Sequence, residues 1–129
     1  MNKIPNYRVW HKIEKRFVDL RTIDFELDNI GYDCQGEAHY YDVAKFDEIV
    51  FQQWTGEYDK NKKEIYEGDI IRSYSKEFIN DNYEAEVVFL DAAFHSKINE
   101  KEYAGLWSGD DIEVIGNIFE SKELLNNEN

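Results

Sequence analysis

The stretch Glu64-Ile65-Tyr66-Glu67-Gly68-Asp69-Ile70-Ile71-Arg72-Ser73-Tyr74 reads as a strand, a tight turn and a second strand. Isoleucine and tyrosine flank a turn in which Gly68 supplies backbone angles that other residues resist. Working upstream, Asp59 to Lys62 has polar turn chemistry, with Asn61 able to take a positive φ. Before it, Phe46 to Trp54 allows a strand or a short helix, and Ile49–Trp54 is better read as strand. Working downstream, Tyr83 to Leu90 alternates as a central strand does, Asp91-Ala92 forms a turn, and Ala93 to Lys97 begins another strand. Residues 99–103 are too charged to assign. Asp111 to Phe119 is β-like with a bulge expected at Gly116, and Ser121 is an N-cap for a short C-terminal helix through Leu124 and Leu125.

The N-terminal half continues the pattern. Tyr7 to His11 alternates as a first strand, Lys12 to Lys15 turns, and Arg16 to Leu20 follows. Thr22 to Leu27 alternates with Ile23, Phe25 and Leu27 on one face and Asp24, Glu26 and Asp28 as an exposed acidic row. Asp28 to Gly31 reads as a turn, and residues 32–40 as a loop with short strand pieces. Short strands separated by turn signals predict a mainly β fold, a small barrel or sandwich, rather than alternating strands and helices.

With 129 residues and no Gly/Ser-rich linker, one core is the default, giving a single domain over 1–125 and a frayed tail at 126–129. Nine Tyr, eight Phe and three Trp provide ample area to bury, so disorder is not expected. A lone cysteine, Cys34, excludes an internal disulfide. No signal-peptide pattern opens the chain and no apolar run spans a membrane, which favours a cytoplasmic location.

The net charge is −13 and uneven. Residues 1–21 carry six Lys/Arg against two acids, residues 22–59 ten acids and only Lys45, and residues 78–129 twelve acids against three lysines. Such a field disfavours ordinary nucleic-acid binding. It suits solubility, a basic partner, or imitation of nucleic acid.

His11, His39 and His95 are far apart and read as surface or strand-edge residues; with one cysteine no zinc pair exists. There is no phosphate-binding glycine loop and no nucleophile elbow. A Cys34/His39 pair rests on loop proximity alone. Asp110-Asp111 lacks the spacing of a calcium loop. No catalytic, cofactor or metal residue is expected. Trp10 and Trp54 read as core. Trp107, set among glycine and serine, reads as an exposed or interface residue, and with Tyr58, Lys60, Asp110 and Asp111 it forms the candidate binding surface.

Three stretches resemble the YopX family. Thr55 to Ile70 is similar to the family pattern TGLxDKNGKEIYEGDI, Tyr7-Arg8-Val9-Trp10 to its FRAW opening, and Ile112 to Leu125 to EVIGNIYENPELL. Lys62 departs from the pattern by replacing the glycine of the Asn-Gly turn, Ala92 stands in a common DGAF, and Ser121-Lys122 replaces NP. The resemblance implies a mostly β fold with an SH3-like barrel and a phage or prophage origin in Gram-positive bacteria. It implies no reaction.

The resulting expectation is a non-enzymatic phage accessory protein without cofactor, acting through an unidentified protein partner or as a homo-oligomer. Two alternatives accompany it: an acidic mimic that blocks a host DNA-binding protein, and direct nucleic-acid binding through the basic N-terminal strands (Lys3, Arg8, Lys12, Lys15, Arg16, Arg21).

Overall fold

The computed structural model describes residues 6–33, 41–74, 83–105 and 111–125. Twelve strands run in chain order among them: β1 (Tyr7–His11), β2 (Arg16–Val18), β3 (Leu20–Asp24), β4 (Asn29–Asp33), β5 (Tyr41–Lys45), β6 (Ile49–Tyr58), β7 (Glu64–Tyr66), β8 (Asp69–Ser73), β9 (Tyr83–Leu90), β10 (Ala93–Lys97), β11 (Tyr103–Gly105) and β12 (Ile112–Asn117). Every strand pair is antiparallel. The expected mainly β class is therefore correct. Among the described residues no helix is long and apolar enough to cross a membrane.

The chain divides into two compact units, Met1–Gln53 and Trp54–Asn129. Composition pointed to one core, whereas the described residues bury two apolar clusters. In the first unit β1 lies between β2 and the start of β6, and β4 lies between β3 and β5. Val9, Val18, Ile30, Tyr32, Ala44 and Ile49 form its core, with Leu20, Phe46 and Phe51 packed on it. Ile30, on the central strand β4, turns its side chain into this cluster and is 0% exposed, and burial of such a side chain is worth about 1.5–3 kcal/mol.

Residues 22–31 depart from expectation. The strand stops at Asp24, whose Oδ1 accepts the N–H groups of Glu26 (2.9 Å) and Leu27 (3.0 Å). That side-chain turn, completed by Asp28 at φ 55°, places the reversal at residues 25–28. Asn29 to Gly31, expected as turn, begin β4. Asp24, Glu26 and Asp28 are consequently not one strand row, and Phe25 and Leu27 are not a buried face. His11 also departs from expectation, being buried at the end of β1. Its Nδ1 accepts the N–H groups of Ile13 (3.2 Å) and Glu14 (3.1 Å), so the turn at 12–15 wraps around the imidazole.

In the second unit the end of β6 pairs with β7, and a five-stranded sheet runs β11-β10-β9-β8-β12. Its core is Ile65, Ile71, Ala85, Val87 and Ile112, with Tyr83, Phe94, Ile98 and Val114 against it. The motif Glu64 to Ser73 forms strand, turn and strand as expected, yet its two strands do not pair with each other. β7 pairs with β6, while β8 pairs with β9 and β12. Gly68, at φ 88°, is the corner at which the chain changes sheet. Its N–H donates to the Val87 carbonyl (2.8 Å) and its own carbonyl accepts from Ile118 N (2.9 Å).

At the β6–β7 turn the positive φ falls on Lys62 (69°) rather than on Asn61, in the place where the family pattern has glycine. Asp91 (51°) and Ala92 (65°) do the same between β9 and β10. An L-residue there costs about 1–2 kcal/mol, partly offset because glycine is freer when unfolded, by about 0.5–1 kcal/mol. Lys62→Gly is therefore expected to stabilise the protein by about 0.5–1 kcal/mol, read as a higher urea midpoint at unchanged slope, with Ala92→Gly moving the same way.

The expected bulge at Gly116 is present as a register shift between Val114 and Gly116. The expected C-terminal helix is a single 3-10 turn, Lys122–Leu125, closed by Leu124 N donating to the Ser121 carbonyl (2.9 Å). The tail at 126–129 lies outside the described residues.

Candidate functional site

Three of the five residues of the expected binding surface are described; Trp107 and Asp110 lie outside, as do Lys3, Cys34 and His39. Tyr58 ends β6, half exposed, with its ring 5.5 Å from that of Trp54. Trp54, expected in the core, is only partly buried, and its Nε1–H donates to the Glu57 carbonyl (3.1 Å). Trp10 is buried as expected.

Lys60 and Asp111 are held close to one another. Lys60 N donates to the Ile112 carbonyl (2.9 Å), and Tyr74 N donates to the Asp111 carbonyl (2.8 Å). The Lys60 ammonium sits 4.0 Å from the centre of the Tyr74 ring, a cation–π contact. The Tyr74 hydroxyl donates to Glu113 (2.7 Å). Asp59, which sequence reasoning placed only in a turn, anchors all of this. Its buried carboxylate accepts three backbone N–H groups: Asn61 (2.8 Å) and Lys63 (2.9 Å) on Oδ1, and Val114 (2.9 Å) on Oδ2. Burial pushes that carboxyl up, but the donations from Val114, Lys63 and Asn61 outweigh it and hold the group below the usual carboxylate range. The Asp-x-Asn-x-Lys spacing was the available signal, because an Asp that opens a turn commonly binds the backbone ahead of it.

A cleft of about 560 Å³ opens elsewhere in the second unit, lined by Glu86, Lys97, Ile98, Asn99, Glu100, Lys122, Glu123 and Leu125. Burial raises the Glu86 carboxyl, against the opposing pull of Lys97 and Lys122. Lys97 is paired with Glu100 at 3.2 Å. Both signs of charge line the cleft. Among the described residues no group of three or more His, Cys, Asp or Glu side chains is arranged to hold a metal ion.

The first unit has two features of its own. The first is a polar network. Arg16 donates to Glu14 (2.8 Å) and Asp33 (3.2 Å), and the Tyr32 hydroxyl donates to Glu14. The Tyr32 bond leads the effects holding the Glu14 carboxyl below its ordinary value, while burial leads those raising the Tyr32 phenol. Each group is matched to a partner, and Tyr32, the buried member, has its hydroxyl satisfied by the exposed Glu14. The second is a row of edge-to-face aromatic rings, Tyr7–Phe51 (6.1 Å), Phe51–Phe46 (6.3 Å) and Phe46–Phe25 (6.0 Å). Its middle rings, Phe46 and Phe51, pack on the core, and both ends are exposed, Tyr7 at one and Phe25, 78% exposed beside Leu27 at 67%, at the other. Sequence reasoning missed this surface because alternation at residues 22–27 imitates a half-buried strand.

Comparison with known proteins agrees with the motifs. Among curated proteins none matches the chain. Among solved structures, protein EF1440 from Enterococcus faecalis is 27% identical, with a TM-score of 0.63 over 97% of this chain and 100% of that one. Protein yopX from Bacillus subtilis is 18% identical, with a TM-score of 0.65 over the full length of both, a likeness of fold. The family model described as YopX protein matches residues 6–126. The chain belongs to the YopX family.

Proposed function

We propose that this protein is a non-enzymatic accessory protein of a phage or prophage that works in the host cytoplasm by binding protein, either a partner or further copies of itself. The observation that carries this reading is the aromatic row ending in exposed Phe25 and Leu27. Large apolar side chains grouped on a surface mark interaction sites far more often than scattered ones do. The second unit adds exposed Phe89 and Leu90 beside the β9–β10 turn. In this reading the five-stranded sheet of the second unit belongs to the SH3-like barrel that the family resemblance implies.

Direct nucleic-acid binding through the N-terminal strands has less support. The Arg8 guanidinium donates twice to Gln52 (2.9 and 2.7 Å), Arg16 is held by Glu14 and Asp33, and Arg21 by Asp19 at 3.4 Å. These partners neutralise or divert the charge that phosphate contacts need.

Sedimentation across a range of concentrations, with affinity capture from a bacterial host lysate, tests the proposal. Self-association or a saturable captured protein is expected. A strict monomer that retains no protein overturns it.

A further inference from the structure

We propose that the surface formed by Phe25, Leu27 and Phe46 is a docking site for a basic amphipathic segment of another protein; this rests on the protein-binding reading above. A shallow groove of about 360 Å³ lies between the β3–β4 turn and the 3-10 turn that follows β5, lined by Leu27, Asp28, Lys45, Phe46 and Asp47. Phe25 stands at its lip, edge-on to Phe46. The volume is at the lower end of ligand-sized clefts, room for apolar side chains rather than a large cofactor.

The groove is held open by hydrogen bonds to the backbone. Asp24 fixes the β3–β4 turn through the N–H groups of Glu26 and Leu27, and Phe46 N donates to the Asp28 carbonyl (2.9 Å). The apolar surface is thus presented before any partner arrives, which lowers the ordering cost of binding.

Charge selects the occupant. Asp28 and Asp47 line the groove and Glu26 lies between Phe25 and Leu27, against Lys45 as the one lining cation. The Lys12 ammonium donates to the Asp47 backbone carbonyl (3.0 Å), but among the described residues no lysine or arginine forms an ion pair with the carboxylates of Glu26, Asp28 or Asp47, so the rim stays acidic. A second copy would bring the same acidic rim against this one, and anionic lipid would be repelled. A segment with apolar residues on one face and Lys/Arg beside them fits both the groove and its rim.

The test uses the full chain and two fluorescent synthetic peptides, one of leucine and lysine and its charge opposite of leucine and glutamate, followed by anisotropy. The basic peptide is expected to bind and the acidic one not. Phe25→Ser with Leu27→Ser should weaken binding at least about tenfold, as loss of interface anchors does. Glu26→Lys, which disturbs no packing, should weaken it several-fold and reduce its salt dependence. If the apolar variant loses its fold, the Glu26→Lys result decides. Equal binding of both peptides, no binding of either, or binding indifferent to the variants overturns the proposal. Should sedimentation instead reveal a dimer that Phe25→Ser and Leu27→Ser dissolve, the basic partner is wrong while the protein-binding reading stands.

Discussion

Replacing Asp59 with alanine is expected to cost about 3–5 kcal/mol of folding stability, the largest loss from any single polar side chain discussed above. The carboxylate accepts three N–H groups from two parts of the chain, the β6–β7 turn and β12. Alanine leaves those donors facing a cavity from which the residue's 4% exposure shows that water is largely excluded. Asn keeps one oxygen but turns an amide towards a donor, so Asp59→Asn should fall between wild type and alanine. Urea unfolding measures the difference. The same residue sets an acid limit. Its folded carboxyl titrates below that of an unfolded aspartate, about 3.9. The stability it supplies is therefore complete above about pH 4 and is lost as pH falls through the folded value. Stability measured from pH 7 downward should drop less steeply at the acid end in Asp59→Asn. An identical acid profile in both proteins would remove Asp59 from this role.

Gly116→Ala is the second large effect, about 1–3 kcal/mol destabilising. A methyl group at that position would lie 2.6 Å from Ser121 Cβ, 2.7 Å from Ser121 Oγ and 3.1 Å from Leu124 Cδ1. The problem is space: the chain after β12 folds directly back over the bulge, and Ser121 N is tied to the Asn117 carbonyl at 2.9 Å. Either β12 or the C-terminal 3-10 turn must move. The explanation makes a further demand. Adding Ser121→Gly removes both of the closest atoms, so the pair should recover much of the loss, and the double-mutant cycle should show strong coupling. Additive losses would mean that the clash is not the cause.

Much of this fold was legible, and the failures share a cause. β1, β9 and β10 match their expected limits because alternation ended at clear turn residues, as at Asp91-Ala92. The bulge at Gly116 was readable since a lone glycine inside a strand pattern needs a reason. At residues 22–31 the same signal misled. Asp24-Phe25-Glu26-Leu27-Asp28 alternates like a strand, but an aspartate that binds its own backbone ends the strand instead. Two readings then failed together, since the shift that put Ile30 in the core put Phe25 and Leu27 on the surface. His11 was misjudged because its partners are backbone N–H groups, which leave no trace in side-chain spacing. Of the expected site, Lys60 and Asp111 are drawn together, while the Asp59 carboxylate that brings them there was visible only as a turn former.

The Asp59–Val114 bond joins residues 55 apart in sequence, and the Tyr74–Glu113 bond joins residues 39 apart. The turn between β9 and β10, by contrast, is made of neighbours. Short-range pairs close early in folding and distant ones late, because the entropy of a long closure must be met before its contacts form. β12 should accordingly dock after the transition state. Of the three Asp59 bonds, those to Asn61 and Lys63 are local and close early, while the Val114 bond waits for β12, so Asp59→Ala should both slow refolding and speed unfolding. The Oδ2 bond to Val114 is the late-closing latch, adding to how long the native state lasts once formed, while Oδ1 shapes the turn before β12 arrives.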